Sequence, residues 1–77
     1  MIKVKIIINN NILYDSNAQL VYLNTIDKGI IELQSGCSNY ILKIIDTIKI
    51  VKDNNTKVFN IKEAIANFSN DILEIIG

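Results

Sequence analysis

The chain has 77 residues, eight lysines against eight Asp plus Glu, no Arg, His, Pro or Trp, and a single Cys. That size allows one small domain, 1–77, and the mass of 8.7 kDa implies a folded surface of about 4,700 Å² with roughly 60% of the unfolded chain's surface buried. Zero net charge and no Arg argue against a nucleic-acid footprint. Without His there is no Ser-His or Cys-His nucleophile system, and one Cys cannot supply a zinc site or a disulfide framework. No Gly-rich phosphate loop occurs among Gly29, Gly36 and Gly77. Purely aliphatic runs stop at about three residues, far short of a spanning segment, and no signal-peptide core opens the chain. The composition reads as a soluble, cytoplasmic, non-enzymatic domain with no cofactor and no metal.

In chain order, alternation opens the sequence: Ile2, Val4, Ile6 and Ile8 take one face and Lys3 and Lys5 the other. Further strands are predicted over 12–14, 18–23, 30–33, 47–52, 57–67 and 72–76. They are separated by turn clusters at Asn9-Asn10-Asn11, Asp15-Ser16-Asn17, Asp27-Lys28-Gly29, Gln34-Ser35-Gly36, Asp53-Asn54-Asn55 and Ser69-Asn70-Asp71. This rhythm predicts a small antiparallel β-sandwich or barrel. Over 60–68 strand and helix stay open, because Ile61, Ile65, Phe68 and Ile72 also form a helical stripe. The abundance of Ile, Asn and Lys matches A+T-rich codon usage, so Asn and Lys by themselves say little about function.

Three predicted strands, 18–23, 30–33 and 72–76, carry apolar residues on both faces. A two-layer antiparallel domain leaves one face of each sheet in water, so part of this outer surface is expected to be covered by another protein. Cys37 reads as a neutral thiol, since only Lys43 is a nearby cation in sequence. Asp71 and Glu74 read as solvated turn charges rather than an acid/base pair. Lys49, Lys52 and Lys57 read as edge-strand lysines that discourage sheet-to-sheet association, and Tyr14, Tyr22 and Tyr40 as packing residues.

The order of these signals resembles the N-terminal domain of the epsilon subunit of rotary F-type ATP synthases. That family's central segment runs approximately G-x-x-G-I-L-P-G-H-A-P-L-I-T. Laid on without gaps, Gly29 and Gly36 match its first and last glycines, Leu33 its Ile, and Tyr40-Ile41 its apolar pair. Phe59-Asn60-Ile61, Ile65, Phe68-Ser69-Asn70-Asp71 and Leu73-Glu74-Ile75-Ile76 track its final hairpin. Glu32, Ser35, Cys37 and Asn39 stand where the family has Gly, Pro, His and Pro, and Lys62-Glu63-Ala64 replaces a small Ser-Gly-Gly step.

The resemblance implies a sandwich of about ten short strands, with 60–68 a strand; the C-terminal helical hairpin with which that family usually continues is expected to be lacking here. It implies a rotor subunit with no active site, peripheral to the membrane through its complex. One sheet face would dock on a gamma-like central stalk through Ile8, Cys37, Ser38 and Leu42. A loop of Lys28, Gly29, Ile30 and Ile31 would face a membrane rotor ring, with alpha- and beta-like catalytic subunits in the same complex. The alternative is a free-standing β-domain that binds a peptide by pairing at an open sheet edge. A small carboxylate or lysine enzyme is the third reading.

Overall fold

The computed structural model describes residues 1–77 and is entirely β. Seven strands form one sheet: β1 (Ile2–Ile8), β2 (Asn11–Ala18), β3 (Leu20–Thr25), β4 (Gly29–Leu33), β5 (Tyr40–Lys52), β6 (Asn55–Ser69) and β7 (Ile72–Ile76). Their order across the sheet is β2-β1-β7-β6-β5-β3-β4. Every neighbouring pair is antiparallel except β1 and β7, which run parallel with Lys3 opposite Ile72 and Ile7 opposite Ile76. The chain has no helix long and apolar enough to cross a membrane.

Three of the turns have one chemical cause. Asn9-Asn10, Asp53-Asn54 and Asn70-Asp71 all have positive φ, between 50 and 65°. They are closed by the strand partners Ile8–Asn11, Lys52–Asn55 and Ser69–Ile72. Two-residue hairpins that match strand twist need φ > 0 at both central positions, and Asn and Asp adopt it more readily than other residues with a Cβ. The asparagines that composition alone left uninformative therefore have a structural role at these turns.

The sheet cannot be flat. Extended straight, the fifteen residues of β6 would span roughly 46 Å at ~3.3 Å per residue, whereas the molecule measures 26 × 24 × 18 Å. β6 bends where one extra residue, Lys62, is inserted between Ile61, which faces Asp46, and Glu63, which faces Ile45. Across from it Asp46 has φ 68°. At one end of the sheet β2 passes through Gln19 straight into β3 near the other end, and the Gln19 amide donates to the Val51 carbonyl at 2.9 Å. The sheet thus curls over one core and brings β2 against β5.

The inner face supplies that core: Ile2, Val4 and Ile6 from β1, Val21 and Leu23 from β3, Leu42, Ile44, Ile48 and Ile50 from β5, Ala64, Ala66 and Phe68 from β6, and Leu73 and Ile75 from β7. The bulge accounts for a change of phase in β6. Before Lys62 the inward residues are Phe59 and Ile61; after it they are Ala64, Ala66 and Phe68. The accessible surface, 4771 Å², matches the value expected from mass.

Several sequence expectations are corrected. The strands number seven, not about ten, and the sheet is mixed rather than purely antiparallel. Residues 60–68 are strand, and their helical stripe is a product of the bulge. Asp15-Ser16-Asn17 is no turn but continues β2, opposite Lys5, Val4 and Lys3; polar residues suit a strand at the sheet edge. The predicted 47–52 strand begins at Tyr40.

Candidate functional site

Chemically reactive groups are dispersed. No three His, Cys, Asp or Glu side chains are grouped so as to hold a metal ion. The most organised carboxylate is Asp71, in the β6–β7 turn. It accepts hydrogen bonds from the Ser35 hydroxyl at 2.8 Å and the Gly36 amide at 2.9 Å. The Gly36 amide first, then the Ser35 hydroxyl, hold its pKa below the ordinary 3.8, because both bonds favour the ionised form. Asp71 fastens the β4–β5 loop to the β6–β7 turn, and the Asn39 side chain accepts from the Asn70 amide beside it at 3.4 Å.

The four stalk-facing candidates do not form one surface. Leu42 is 3% exposed and belongs to the core, so it offers a partner no side chain. Ile8 and Cys37 are half-buried and packed against that core. Ser38 is exposed. Cys37 and Ser38 lie in the loop fastened by Asp71, at the end of β7 where Lys3 donates to the Asp71 carbonyl. Ile8 lies at the opposite end, where Asn9 donates to the Gly77 carbonyl. Five residues of β7 separate the two ends.

The ring-facing candidates do share a place, the β3–β4 hairpin tip. Buried Thr25 shapes it: its hydroxyl donates to the Gly29 carbonyl at 2.6 Å and accepts from the Lys28 amide at 2.9 Å. Gly29 has φ 70° there, which suits a residue without Cβ. Ile30 is 70% exposed, while Ile31 packs on the core.

The three tyrosines are each covered by a lysine ammonium at 5.7–5.9 Å from the ring centre: Lys57 on Tyr14, Lys49 on Tyr22 and Lys28 on Tyr40. Lys52 donates to Ser16 at 3.0 Å. Lys49 and Lys52 stand on β5, an interior strand, whereas Lys57 stands on the first half of β6, which pairs with β5 alone. The expected edge position is therefore corrected for Lys49 and Lys52, while Lys57 does lie on an open edge; all three also cap side chains.

The outer face divides into two unlike halves. Over β3, β5 and β6 it is mixed, with Tyr22 and Lys49 as cross-strand partners and the Asn24 amide donating to Thr47 at 2.8 Å. Over β2, β1, β7 and β6 a row of isoleucines crosses four strands. Ile12 faces Ile7, Ile7 faces Ile76, and Ile76 faces Ile65. Ile12, Ile76 and Ile65 are 47–59% exposed, and Ile7 is half-buried between its neighbours. Beyond Ile65 the surface continues through Ile41, 77% exposed, and Ile26, which line one open groove with Lys28 and Lys43. Sequence reasoning marked 72–76 as apolar on both faces but missed the row. Its members are joined only by strand register, although the outward phase of Ile7 in β1 was a usable signal.

No known family model matches the chain, and no curated protein matches it.

The row can bury hydrophobic area and little else. Carrying an aliphatic side chain from half-exposed to buried is worth roughly 1 kcal/mol, half the usual full value. Ile12, Ile76, Ile65, Ile41 and Ile26 would thus contribute about 5 kcal/mol together. Association costs an estimated 4–15 kcal/mol in lost freedom alone. The row is the centre of a contact that must extend onto the polar surface around it.

Proposed function

We propose that the chain is a non-catalytic central-stalk (rotor) subunit of an F-type rotary ATPase or F-type-like motor, comparable to the N-terminal domain of the epsilon subunit. On this reading it docks on a gamma-like stalk, couples it to a membrane rotor ring or another partner, and shares its complex with alpha- and beta-like catalytic subunits. It works on the cytoplasmic side, peripheral to the membrane.

The observation that carries the reading is the exposed isoleucine row on one half of the outer face. A surface of that kind calls for a protein partner. The strand over 60–68 agrees with the resemblance, which requires one there. The fold would then be a two-layer sandwich. β5 and β6, bent at Asp46 and Lys62, each give one half to either layer, so seven strands supply nine segments.

The test is recovery of the tagged chain from its source cells, with co-purifying proteins identified by mass spectrometry. Nucleotide-hydrolysing subunits and a coiled-coil stalk are expected in fixed ratio. Recovery as a free monomer rejects the reading.

Edge-strand capture of a peptide is disfavoured at β2 and β4 but not along Asn55–Ile61 of β6, whose side away from β5 pairs with no strand. The β2 edge is bulged where β1 passes from Ile6 to Ile7, and the Tyr14 hydroxyl occupies the Asn17 carbonyl at 2.6 Å. The other end strand, β4, has five residues, while Asn55–Ile61 of β6 pair with β5 alone, because β7 reaches only Ile65–Ser69. Bulged and short edges discourage strand addition.

A further inference from the structure

β6 is paired on both sides only along part of its second half. β7 covers Ile65–Ser69, whereas Asn55–Ile61 pair with β5 alone. Facing residues in an antiparallel ladder alternate between pairs that exchange both backbone bonds and pairs that exchange none. The Val51 carbonyl turns to Gln19 on the β3 side, so its partner Thr56 turns its own N–H and C=O away from β5. By the same alternation Val58 and Asn60 do likewise, and no backbone bond outside the ladders reaches them. Three donors and three acceptors thus stand in a row that an extended backbone matches.

The side chains along this edge say what that backbone carries. Phe59 and Ile61 point into the core yet stay half-buried, while Ala66 and Phe68, beside β7, are each 1% exposed. Apolar neighbours on an added strand would complete the cover that β7 gives the other half. Lys57 shares the face of Phe59. It lines an open groove with Lys52, Tyr14 and Ser16, in which Asp53 is the one carboxylate. The two ammonium groups rest on neutral partners, the Tyr14 ring and the Ser16 hydroxyl. A carboxylate placed beside Lys57 therefore meets a surplus of positive charge. A second copy of this edge does not fit: reversed about Val58, it sets Phe59 beside Lys57 and Asn55 beside Ile61.

We propose that the side of β6 turned away from β5, from Asn55 to Ile61, takes an extended segment of a partner protein as an added strand. An acidic residue of that segment lies beside Lys57 and apolar residues beside Phe59 and Ile61. The inference rests on the docking reading above for a bound protein, and adds a contact away from the isoleucine row, whose member on β6 is Ile65.

Amide hydrogen exchange, resolved to single residues by fragmentation mass spectrometry, supplies the test on the complex recovered from source cells. In the chain alone the Thr56, Val58 and Asn60 amides are expected to exchange freely, while those of Lys57 and Phe59, bonded to β5, are protected. In the complex the first three are expected to slow by about 100-fold or more. A recovered complex in which they stay fast overturns the inference while the docking function stands. Slowing of the same amides in the concentrated chain alone would assign the edge to a second copy and overturn it too. Failure to recover any complex overturns both readings. Val58→Pro removes one outward donor and no bond to β5, and is expected to lower partner recovery roughly tenfold. Lys57→Glu is expected to lower it roughly fivefold at low salt and less at high salt. Unchanged recovery refutes the strand pairing in the first case and the acidic neighbour in the second.

Discussion

Deleting Lys62 tests the bulge that bends the sheet. Its side chain is exposed, and it has no partner opposite it on β5. Its presence is what switches β6 from inward Phe59 and Ile61 to inward Ala64, Ala66 and Phe68. Without it, one half of β6 must turn over. If the C-terminal half turns, Phe68 leaves the core at a cost of about 3–5 kcal/mol. If the N-terminal half turns, half-buried Phe59 and Ile61 leave, costing roughly 1.5–3 kcal/mol together, and inward Asn60 adds about 1–3 kcal/mol unless it finds a partner. The cheaper outcome is thus about 2–6 kcal/mol, against a total stability of about 4–12 kcal/mol for a chain this long. Urea denaturation followed by far-UV circular dichroism reads the difference, with Lys62→Ala as the control expected within about 0.5 kcal/mol of the parent. A deletion variant within 1 kcal/mol of that control, on the scale of an ordinary surface change, would refute the bulge as the source of the phase change.

Leu42→Ala should destabilise by about 2–5 kcal/mol through the cavity it leaves, read by the same denaturation, because Leu42 is core rather than interface. Thr25→Val strands the Lys28 amide and the Gly29 carbonyl and is expected to cost about 1–3 kcal/mol, with the β3–β4 tip losing amide-exchange protection first. Asp71 has a lowered pKa in the folded chain. Its contribution is therefore present above the unfolded value, ~3.9, and is lost as pH falls through the lower folded one. The Gly36 amide proton resonance should stay fixed from neutral pH down to that range and move only below it; a midpoint above the ordinary value would count against the clamp.

Some of this structure was legible because single residues dictate it. Asn and Asp at paired turn positions announce tight hairpins at 9–10, 53–54 and 70–71, and β1 shows its two faces directly. The β6 phase was hidden because an inserted residue leaves no compositional mark. Ile61 and Phe68 point inward while Ile65 and Ile72 are exposed, yet together they mimic one side of a helix. β2 was cut short because an edge strand tolerates the polar residues that elsewhere mark turns. The docking row was illegible for a deeper reason: Ile7 and Ile76 come together only through the parallel pairing of β1 with β7, and nothing local to either strand encodes that partner.

That pairing also governs how the chain can fold as it leaves the ribosome. β7 stands between β1 and β6 yet is made after both. Until it emerges, the β1–β2 hairpin pairs with no other strand, and Ile2, Val4 and Ile6 lack the strand beside β1 that completes their core. Topologies dominated by such distant pairings fold in milliseconds to seconds rather than microseconds. The nascent chain carries an open apolar edge until β7 is made, and the five residues of β7 then join two half-sheets into one cooperative unit.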